Sequence, residues 1–184
     1  MIKDLTLITG NVNKAAQFSK YLGMPVDHQK IDLDELQSFQ LIEVIEHKAR
    51  QAYERIKKPV IVDDVSFEME ALNGLPGPFI KFFEEILGVD KISELAYKYD
   101  NQRVRARMML GFFDGKQFYS FEGFTDGKIS REVLGENGFG FDAIYIPDGY
   151  KKTRAEMNDD EYDMTNHRRI AVEKLKEFLE EYDG

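Results

Sequence analysis

The chain of 184 residues contains no cysteine. Disulfides, thiolate zinc sites and cysteine nucleophiles are therefore excluded. An excess of positive charge is also missing, since the formal net charge is −9. This balance argues against a nucleic acid polymer as partner, because its phosphates are neutralised by surplus lysine and arginine. A small anionic substrate stays compatible with it, since a few cations in a pocket or a divalent metal can reverse the local charge.

Long apolar runs are absent too. The longest of them are a handful of residues, which is far below the length that spans a membrane. The opening segment MIKDLTLITG lacks the apolar core of a signal peptide. We therefore expect a cytoplasmic protein with no membrane partner. The length and the hydrophobic content of 42% predict a single domain over residues 1–184.

Strand and helix patterns alternate in the first part of the chain. Leu5–Thr9 is a predicted strand that runs into a helix over Lys14–Leu22, with Asn11 as its N-cap. Hydrophobic spacing predicts a helix over Ile42–Lys57 and a buried strand over Val60–Val62. This order is typical of a mixed α/β fold. The further predicted elements are strands over Val26–Ile31, Lys128–Val133 and Phe141–Ile146, helices over Phe79–Leu87, Lys91–Tyr99 and Asp160–Tyr182, and a hairpin of Val104–Phe113 with Gln117–Thr125.

The segment TGNVNK, Thr9 to Lys14, lies between the first strand and the first helix. Backbone N–H groups at a helix start, together with the positive end of the helix dipole, form an anion site. Thr9 and Asn11 add side-chain donors and Lys14 adds a charge. The pattern GxxxxGK[ST] is absent, so the segment is not a P-loop. A capped helix with one solvated lysine explains the segment equally well.

An acidic pair, Asp63-Asp64, follows the predicted strand Val60–Val62. In α/β sheets ligands gather at the carboxyl ends of strands. Neighbouring side chains of an extended chain point to opposite sides, so one acid can face a ligand while the other organises structure. Mg²⁺ prefers one or two carboxylates with water and phosphates. Glu43 and Glu46 of the preceding helix are candidate partners, and a pair of solvated turn aspartates is the alternative.

Two aromatic segments and a cationic one complete the candidates. In NGLPGPFIKFF, Asn73 to Phe83, the phenylalanines either line a pocket or belong to the core. In NGFGFD the glycines on both sides of Phe139 let the backbone approach a ligand and leave a ring face for a nucleobase, which is worth about 1–3 kcal/mol. A buried phenylalanine in a turn is the alternative.

His167 and Arg168 lie early in the last predicted helix, where a solvated helix surface is the alternative. Arginine only donates hydrogen bonds, which suits a purine with a carbonyl at position 6.

Taken in this order, the segments resemble the inosine triphosphate pyrophosphatase family over nearly the whole chain. The family's motifs appear here as TGNxxK, the acidic pair, GLPGPFIKFF, GFGFD and the stretch PDG…KT.AEM that begins at Pro147. The resemblance implies a mixed central sheet flanked by helices, two lobes with an active-site cleft between them, and a homodimer. It implies an Mg²⁺-dependent hydrolase that cleanses the nucleotide pool. The implied reaction cuts ITP, dITP or XTP to the monophosphate and pyrophosphate.

The resemblance also implies roles for individual residues. Asp64 corresponds to the general base as well as to a metal-binding acid. The other implied roles are phosphate binding by Thr9, Asn11 and Lys14, with Lys14 also taking part in catalysis, metal binding by Glu43, base stacking by Phe139, and contacts around the base by Asp142, His167 and Arg168.

The chain departs from the family pattern at four positions. Asp63 stands where the family usually has glutamate, and Val65 stands where threonine or serine is frequent. Tyr162 takes the place of a lysine, and Asn166 takes the place of the serine before the His-Arg pair. The last two changes fall on the side of the site that would read the base, so they concern substrate preference more than phosphate chemistry.

Two alternatives therefore stay open. A pyrophosphatase for another modified nucleotide or for a pyrimidine nucleotide would keep the phosphate loop and the metal acids but use a different base pocket. A non-catalytic nucleotide-binding protein would keep the loop and lose the metal acids. The presence of both Glu43 and Asp64 argues against the second alternative.

Overall fold

A computed structural model describes residues 5–182 of the chain. None of the helices in this range is both long and apolar enough to cross a membrane. The strands are β1 Thr6–Ile8, β2 Asp27–Gln29, β3 Val60–Met69, β4 Pro76–Gly77, β5 Arg103–Phe113, β6 Phe118–Ile129 and β7 Tyr145–Pro147. The helices are α1 Val12–Leu22, α2 Leu41–Ile56, α3 Ile80–Ile86, α4 Val89–Lys98, α5 Asp159–Met164 and α6 His167–Glu181.

The strands form one mixed sheet in the order β2-β1-β3-β5-β6-β7, and β4 pairs with β3 beside this path. β1 is parallel to both β2 and β3, whereas β4 is antiparallel to β3 and β7 is antiparallel to β6. The predicted mixed α/β class with a central sheet and flanking helices is therefore confirmed. The registers pair Thr6 with Asp27 and Val60, Phe67 with Gly77, and Lys128 with Ile146.

The chain divides into two compact units. Unit 1 holds the described residues 5–64, 108–123 and 168–182, and unit 2 holds Val65–Arg107 and Phe124–His167. The core of unit 1 forms where the apolar stripe of α2 meets β3, since Ile45, Ala49 and Ala52 pack with Val60 and Val62. Val60, Val62 and Asp64 are spaced two residues apart, so they lie on the same face of β3.

The core of unit 2 is built on the second half of β3. Phe67 is fully buried and its ring stacks on Phe141, with 4.4 Å between the ring centroids. Ile80 of α3, Ile92 of α4 and Tyr145 of β7 close around this pair. Burial of each large apolar side chain stabilises the fold by about 1.5–3 kcal/mol. The packing holds the segment around Phe141 in place, which matters for the site described below.

Strand β3 is longer than the sequence predicted. The predicted strand Val60–Val62 continues to Met69, so Asp63 and Asp64 lie within a strand and the expectation that they end it is wrong. The physical reason is that both carboxylates are paired with lysines and that Phe67 and Met69 beyond them are buried. Charge therefore does not stop the strand at this point.

Three further predictions are wrong in part. Phe141–Ile146 is not one strand, because a 3₁₀ turn over Gly140–Ala143 precedes β7. The separate strand Lys128–Val133 is the end of β6, which runs without a break to Ile129. The helix predicted over Asp160–Tyr182 is split into α5 and α6, because the Thr165 hydroxyl bonds back to the carbonyl of Glu161 and ends the first helix.

Candidate active site

The TGNVNK loop lies in unit 1 between β1 and α1. Asn11 is the N-cap, since its side-chain oxygen accepts a hydrogen bond from the Lys14 backbone N–H at 3.1 Å, as predicted. The Thr9 hydroxyl accepts from the Asn11 N–H, also at 3.1 Å. The side chains of Thr9 and Asn11 thus shape the loop. Lys14 follows in the first turn of the helix, where the first backbone N–H groups have no intrahelical acceptor.

The two acids of β3 contact different helices. The Lys14 ammonium of α1 lies 3.0 Å from Asp63 Oδ2, and the Lys48 ammonium of α2 lies 2.8 Å from Asp64 Oδ2. Alternation along the strand produces this divergence, which the sequence predicted for neighbouring carboxylates. Lys48 also donates to the backbone carbonyl of Asp63 at 3.3 Å. Each acid is consequently tied to a cation from a different helix.

Asp63 is the more deeply buried acid of the pair, with 8% of its side chain exposed against 29% for Asp64. Burial alone would raise the pKa of Asp63, but Lys14, Arg168 and Lys48 outweigh it and hold that pKa below its ordinary value. The pKa of Lys48 is raised, because Asp64 and Asp63 outweigh the opposing effect of burial. Asp63 and Lys48 therefore stay ionised around neutral pH.

The acids proposed for a metal differ in their surroundings. Glu43 is exposed in the first turn of α2, and its Oε2 accepts a hydrogen bond from the Ser38 hydroxyl at 2.6 Å. Glu46 is engaged with Arg50 of the same helix at 2.6 Å. Within residues 5–182 no three His, Asp or Glu side chains are grouped to share a metal. Carboxylates of Asp64 and Glu43 fit the sparse protein donor set of Mg²⁺, which takes its other ligands from water and phosphates.

In unit 2 the NGFGFD segment folds around a buried carboxylate. Asp142 is 4% exposed, and its Oδ2 accepts from the Phe139 backbone N–H at 3.2 Å and from the Tyr162 hydroxyl at 2.8 Å. A side chain at Gly138 would come within 2.3 Å of that oxygen, at a φ of +76° that favours glycine. The Phe139 ring is 54% exposed, so the alternative of a buried phenylalanine is wrong.

Arg154 is a residue of this cluster that the sequence reasoning missed. It lies in a 3₁₀ turn over Arg154–Glu156 and is 1% exposed. Its Nε is 3.5 Å from Asp142 Oδ1, and its Nη1 is 3.4 Å from Nδ1 of His167, the first residue of α6. The spacing T-x-x-E of Thr153 and Glu156, which predicts a capped turn, was the available signal.

Arg168 and Lys48 lie in unit 1, as the acidic pair of β3 does. Arg168 is 4% exposed and donates to the side-chain carbonyl of Gln17 in α1 at 2.8 Å. It lies in unit 1 with Lys14, while its neighbour His167 lies in unit 2. Lys48 was not predicted, although its position three residues after the buried Ile45 places it on the edge of α2 that meets β3. The structure thus gathers three cations with the acidic pair.

Comparisons with known proteins agree with this description. The chain matches the model of the Ham1 family over residues 5–178. It is 35% identical over 184 residues to the inosine triphosphate pyrophosphatase of Schizosaccharomyces pombe, covering 98% of this chain and 97% of that protein. It is 36% identical to the dITP/XTP pyrophosphatase of Saccharolobus solfataricus, covering 96% of this chain and 93% of that protein.

A solved structure shares the fold. The HAM1 protein from Coxiella burnetii superposes with a TM-score of 0.87 at 24% sequence identity, covering 97% of this chain and 98% of that one. The family match and the relatives both extend over nearly the full length, which confirms the resemblance seen in the motifs. The chain belongs to the Ham1 family.

Proposed function

We propose that this protein hydrolyses deaminated purine nucleoside triphosphates, namely ITP, dITP and XTP, to the monophosphate and pyrophosphate, which would cleanse the nucleotide pool. The observation that carries the proposal is the acidic pair of β3, in which Asp63 is bound to Lys14 of the TGNVNK loop and Asp64 to Lys48 of α2. The names of the relatives from S. pombe and S. solfataricus support the choice of substrate.

The triphosphate carries several negative oxygens that need positive partners. In unit 1, Lys14 and Lys48 supply positive charge, and the start of α1 adds the positive end of a helix dipole. A lysine ammonium has three donors. Lys14 can therefore donate to a phosphate oxygen while Asp63 holds it in position.

The two acids take different roles in this proposal. Asp64 is the general base, because the larger exposed fraction of its side chain lets water reach it. It would take a proton from the water that attacks the α-phosphorus, and pyrophosphate would leave. A positioned base of this kind accelerates such a reaction by about 10²–10⁴-fold. Asp63 is buried and orients Lys14.

We infer further that Mg²⁺ is the cofactor and that Asp64 and Glu43 hold it. When bound, the ion would offset phosphate charge and help to align the substrate. The protein's own part is to hold Lys14 and Lys48 in position through their ion pairs with Asp63 and Asp64. A chelator such as EDTA should abolish turnover, and recovery on addition of Mg²⁺ would support the assignment.

The base is recognised by Phe139, Asp142, His167 and Arg168 in this proposal. The exposed face of Phe139 stacks on the purine, and Asp142 and His167 lie around its edge. Arg168 stays the candidate for the carbonyl at position 6, since arginine only donates. We also propose a cytoplasmic homodimer, which light scattering of the purified protein would test.

The direct test is a panel of nucleoside triphosphates with Mg²⁺, in which released pyrophosphate and orthophosphate are measured separately. We expect pyrophosphate from ITP, dITP and XTP and little from ATP or GTP. Preferred turnover of a pyrimidine triphosphate would instead support the second candidate, which the Tyr162 and Asn166 departures leave open. Orthophosphate alone, or no turnover, would contradict both.

The role of Asp64 is tested by Asp64→Asn. We expect turnover to fall by at least about 100-fold while the thermal midpoint stays close to that of the original protein. Asp160→Asn, which changes an exposed acid in the first turn of α5, is the matched control and should keep full activity. Unchanged pyrophosphate release by Asp64→Asn would refute the assignment.

A further inference from the structure

Arg154 has the largest fully buried side chain among the described residues. Charged side chains are seldom fully buried unless they are paired, because removing an ion from water is costly. A guanidinium that is 1% exposed must therefore have partners that fix its position. The partners found here lie in unit 2 among the residues that we assign to the base.

The guanidinium contacts three elements of this unit. Its Nε faces Asp142 Oδ1 at 3.5 Å, and its Nη1 lies 3.4 Å from Nδ1 of His167. Its central carbon lies 4.0 Å from the centroid of the Tyr162 ring, which is within the range of a cation–π contact. His167 in turn stacks on Phe141, with 6.2 Å between the ring centroids. One buried cation thus joins the NGFGFD turn, α5 and the start of α6.

These contacts determine the direction of the Asp142 carboxylate. Oδ2 accepts from the Tyr162 hydroxyl and from the backbone N–H of Phe139, while Oδ1 faces Arg154. Two hydrogen bonds therefore hold Oδ2, and Oδ1 faces the guanidinium at an ion-pair distance with no hydrogen bond to its Nε. Because Asp142 holds the backbone at Phe139, a change in the carboxylate would also change the direction in which the exposed ring is presented.

We propose that Arg154 is a positioning residue for base recognition. It acts through Asp142, Tyr162 and His167 and does not touch the substrate, since almost none of its surface is accessible. The inference rests on the proposed function, which assigns these residues to the base. Selectivity between bases depends on polar groups that the protein holds in fixed directions. A base that leaves such a buried donor or acceptor unpaired binds more weakly. Loss of Arg154 would therefore reduce selectivity more than the rate of phosphate chemistry in unit 1.

The test compares Arg154→Met with Arg154→Lys. Methionine keeps much of the length and removes the charge, whereas lysine keeps the charge and loses the planar fork. For Arg154→Met we expect KM for ITP to rise by about 10-fold, kcat to change by less than about 3-fold, and the ratio of kcat/KM for ITP to that for GTP to fall by about 10-fold. Arg154→Lys should recover part of the ratio.

Arg103→Met is the matched control, because Arg103 is exposed and its ion pair with Asp148 lies in the same unit. It should leave the ITP to GTP ratio unchanged. A purely structural role for Arg154 predicts a lower thermal midpoint with an unchanged ratio. That result in a folded Arg154→Met variant would overturn the proposal.

If Arg154→Met does not fold, Tyr162→Phe is the second variant in which the ITP to GTP ratio is measured. This change removes the hydroxyl that bonds to Asp142 and keeps the ring beneath the guanidinium. The ITP to GTP ratio should fall in the same direction, and an unchanged ratio would overturn the proposal. Absence of ITP turnover by the original protein would contradict the proposed function and the inference with it. Normal ITP turnover with unchanged ratios in the variants would contradict only the role of Arg154.

Discussion

The ion pair between Lys14 and Asp63 is expected to contribute to both stability and catalysis. Lys14→Met removes an ammonium 3.0 Å from a carboxylate that is 8% exposed. Removing one partner of a buried pair costs about 3–5 kcal/mol. Lys14 itself is 25% exposed, and Arg168 and Lys48 still act on Asp63, so we expect about 2–3 kcal/mol. At roughly 2–4 °C per kcal/mol for a chain of this length, the thermal midpoint should fall by about 4–12 °C.

A double-mutant cycle in urea at pH 7 measures this pair. The four proteins are the original, Lys14→Met, Asp63→Asn and the double variant. The double variant should be more stable than Lys14→Met alone, because it no longer buries an uncompensated charge, and the coupling should be about 1–3 kcal/mol. Both proteins that lack Lys14 should have lost turnover, since a cation proposed to bind phosphate is missing.

The pH dependence of the same cycle provides a second check. The pKa of Asp63 is lowered in the folded protein, so its stabilising contribution is present above the ordinary aspartate pKa of about 3.9. That contribution is lost as the pH falls from there through the folded-state pKa. The stability difference between the original protein and Asp63→Asn should therefore stay constant from neutral pH down to about pH 4 and shrink below it. A coupling below about 0.5 kcal/mol at pH 7 would refute the reasoning.

Two further predictions concern the NGFGFD turn. Phe139→Ala should raise KM for ITP by about 5–150-fold, the equivalent of a lost stacking contact, and should barely change the thermal midpoint because the ring is 54% exposed. Phe82→Ala, also at an exposed ring, is its control, and a large loss of stability with unchanged KM would contradict the prediction. The pKa of Glu84 in α3 is raised, because burial and the charge of Asp142 together outweigh the hydrogen bond from the Phe141 N–H. The buried Oε1 of Glu84 has no hydrogen-bond partner among the described residues. Glu84→Gln should therefore raise the unfolding free energy in urea at pH 8, where the carboxylate is charged, and leave it unchanged near pH 4; a destabilised variant at pH 8 would contradict this.

Local patterns predicted the regular elements well. The helix α2 and the strand β5 were found at nearly their observed bounds, because each buries a face whose spacing is visible in the chain. The N-cap at Asn11 was found for the same reason, since its hydrogen-bond partner is only three residues away. These features depend on neighbours in sequence.

Predictions failed where a distant partner decides the local structure. Asp63 and Asp64 were expected to end a strand, yet lysines from two helices neutralise them and β3 continues. The turn at Gly140–Ala143 replaces part of a predicted strand, because Asp142 is drawn inward by Tyr162 and Arg154. The apolar run around Phe141 does not by itself predict this turn.

The sequence by itself determined the fold class, the order of the family motifs and the residue types that can bind a triphosphate. Composition, hydrophobic spacing and caps are properties of short segments, and the folded chain preserves them. The tertiary structure decided which cation meets which acid, namely Lys14 with Asp63, Lys48 with Asp64 and Arg154 with Asp142. Such pairs join residues of different elements of the fold and depend on burial. They form only when the packing of helices and strands brings the charges together out of water.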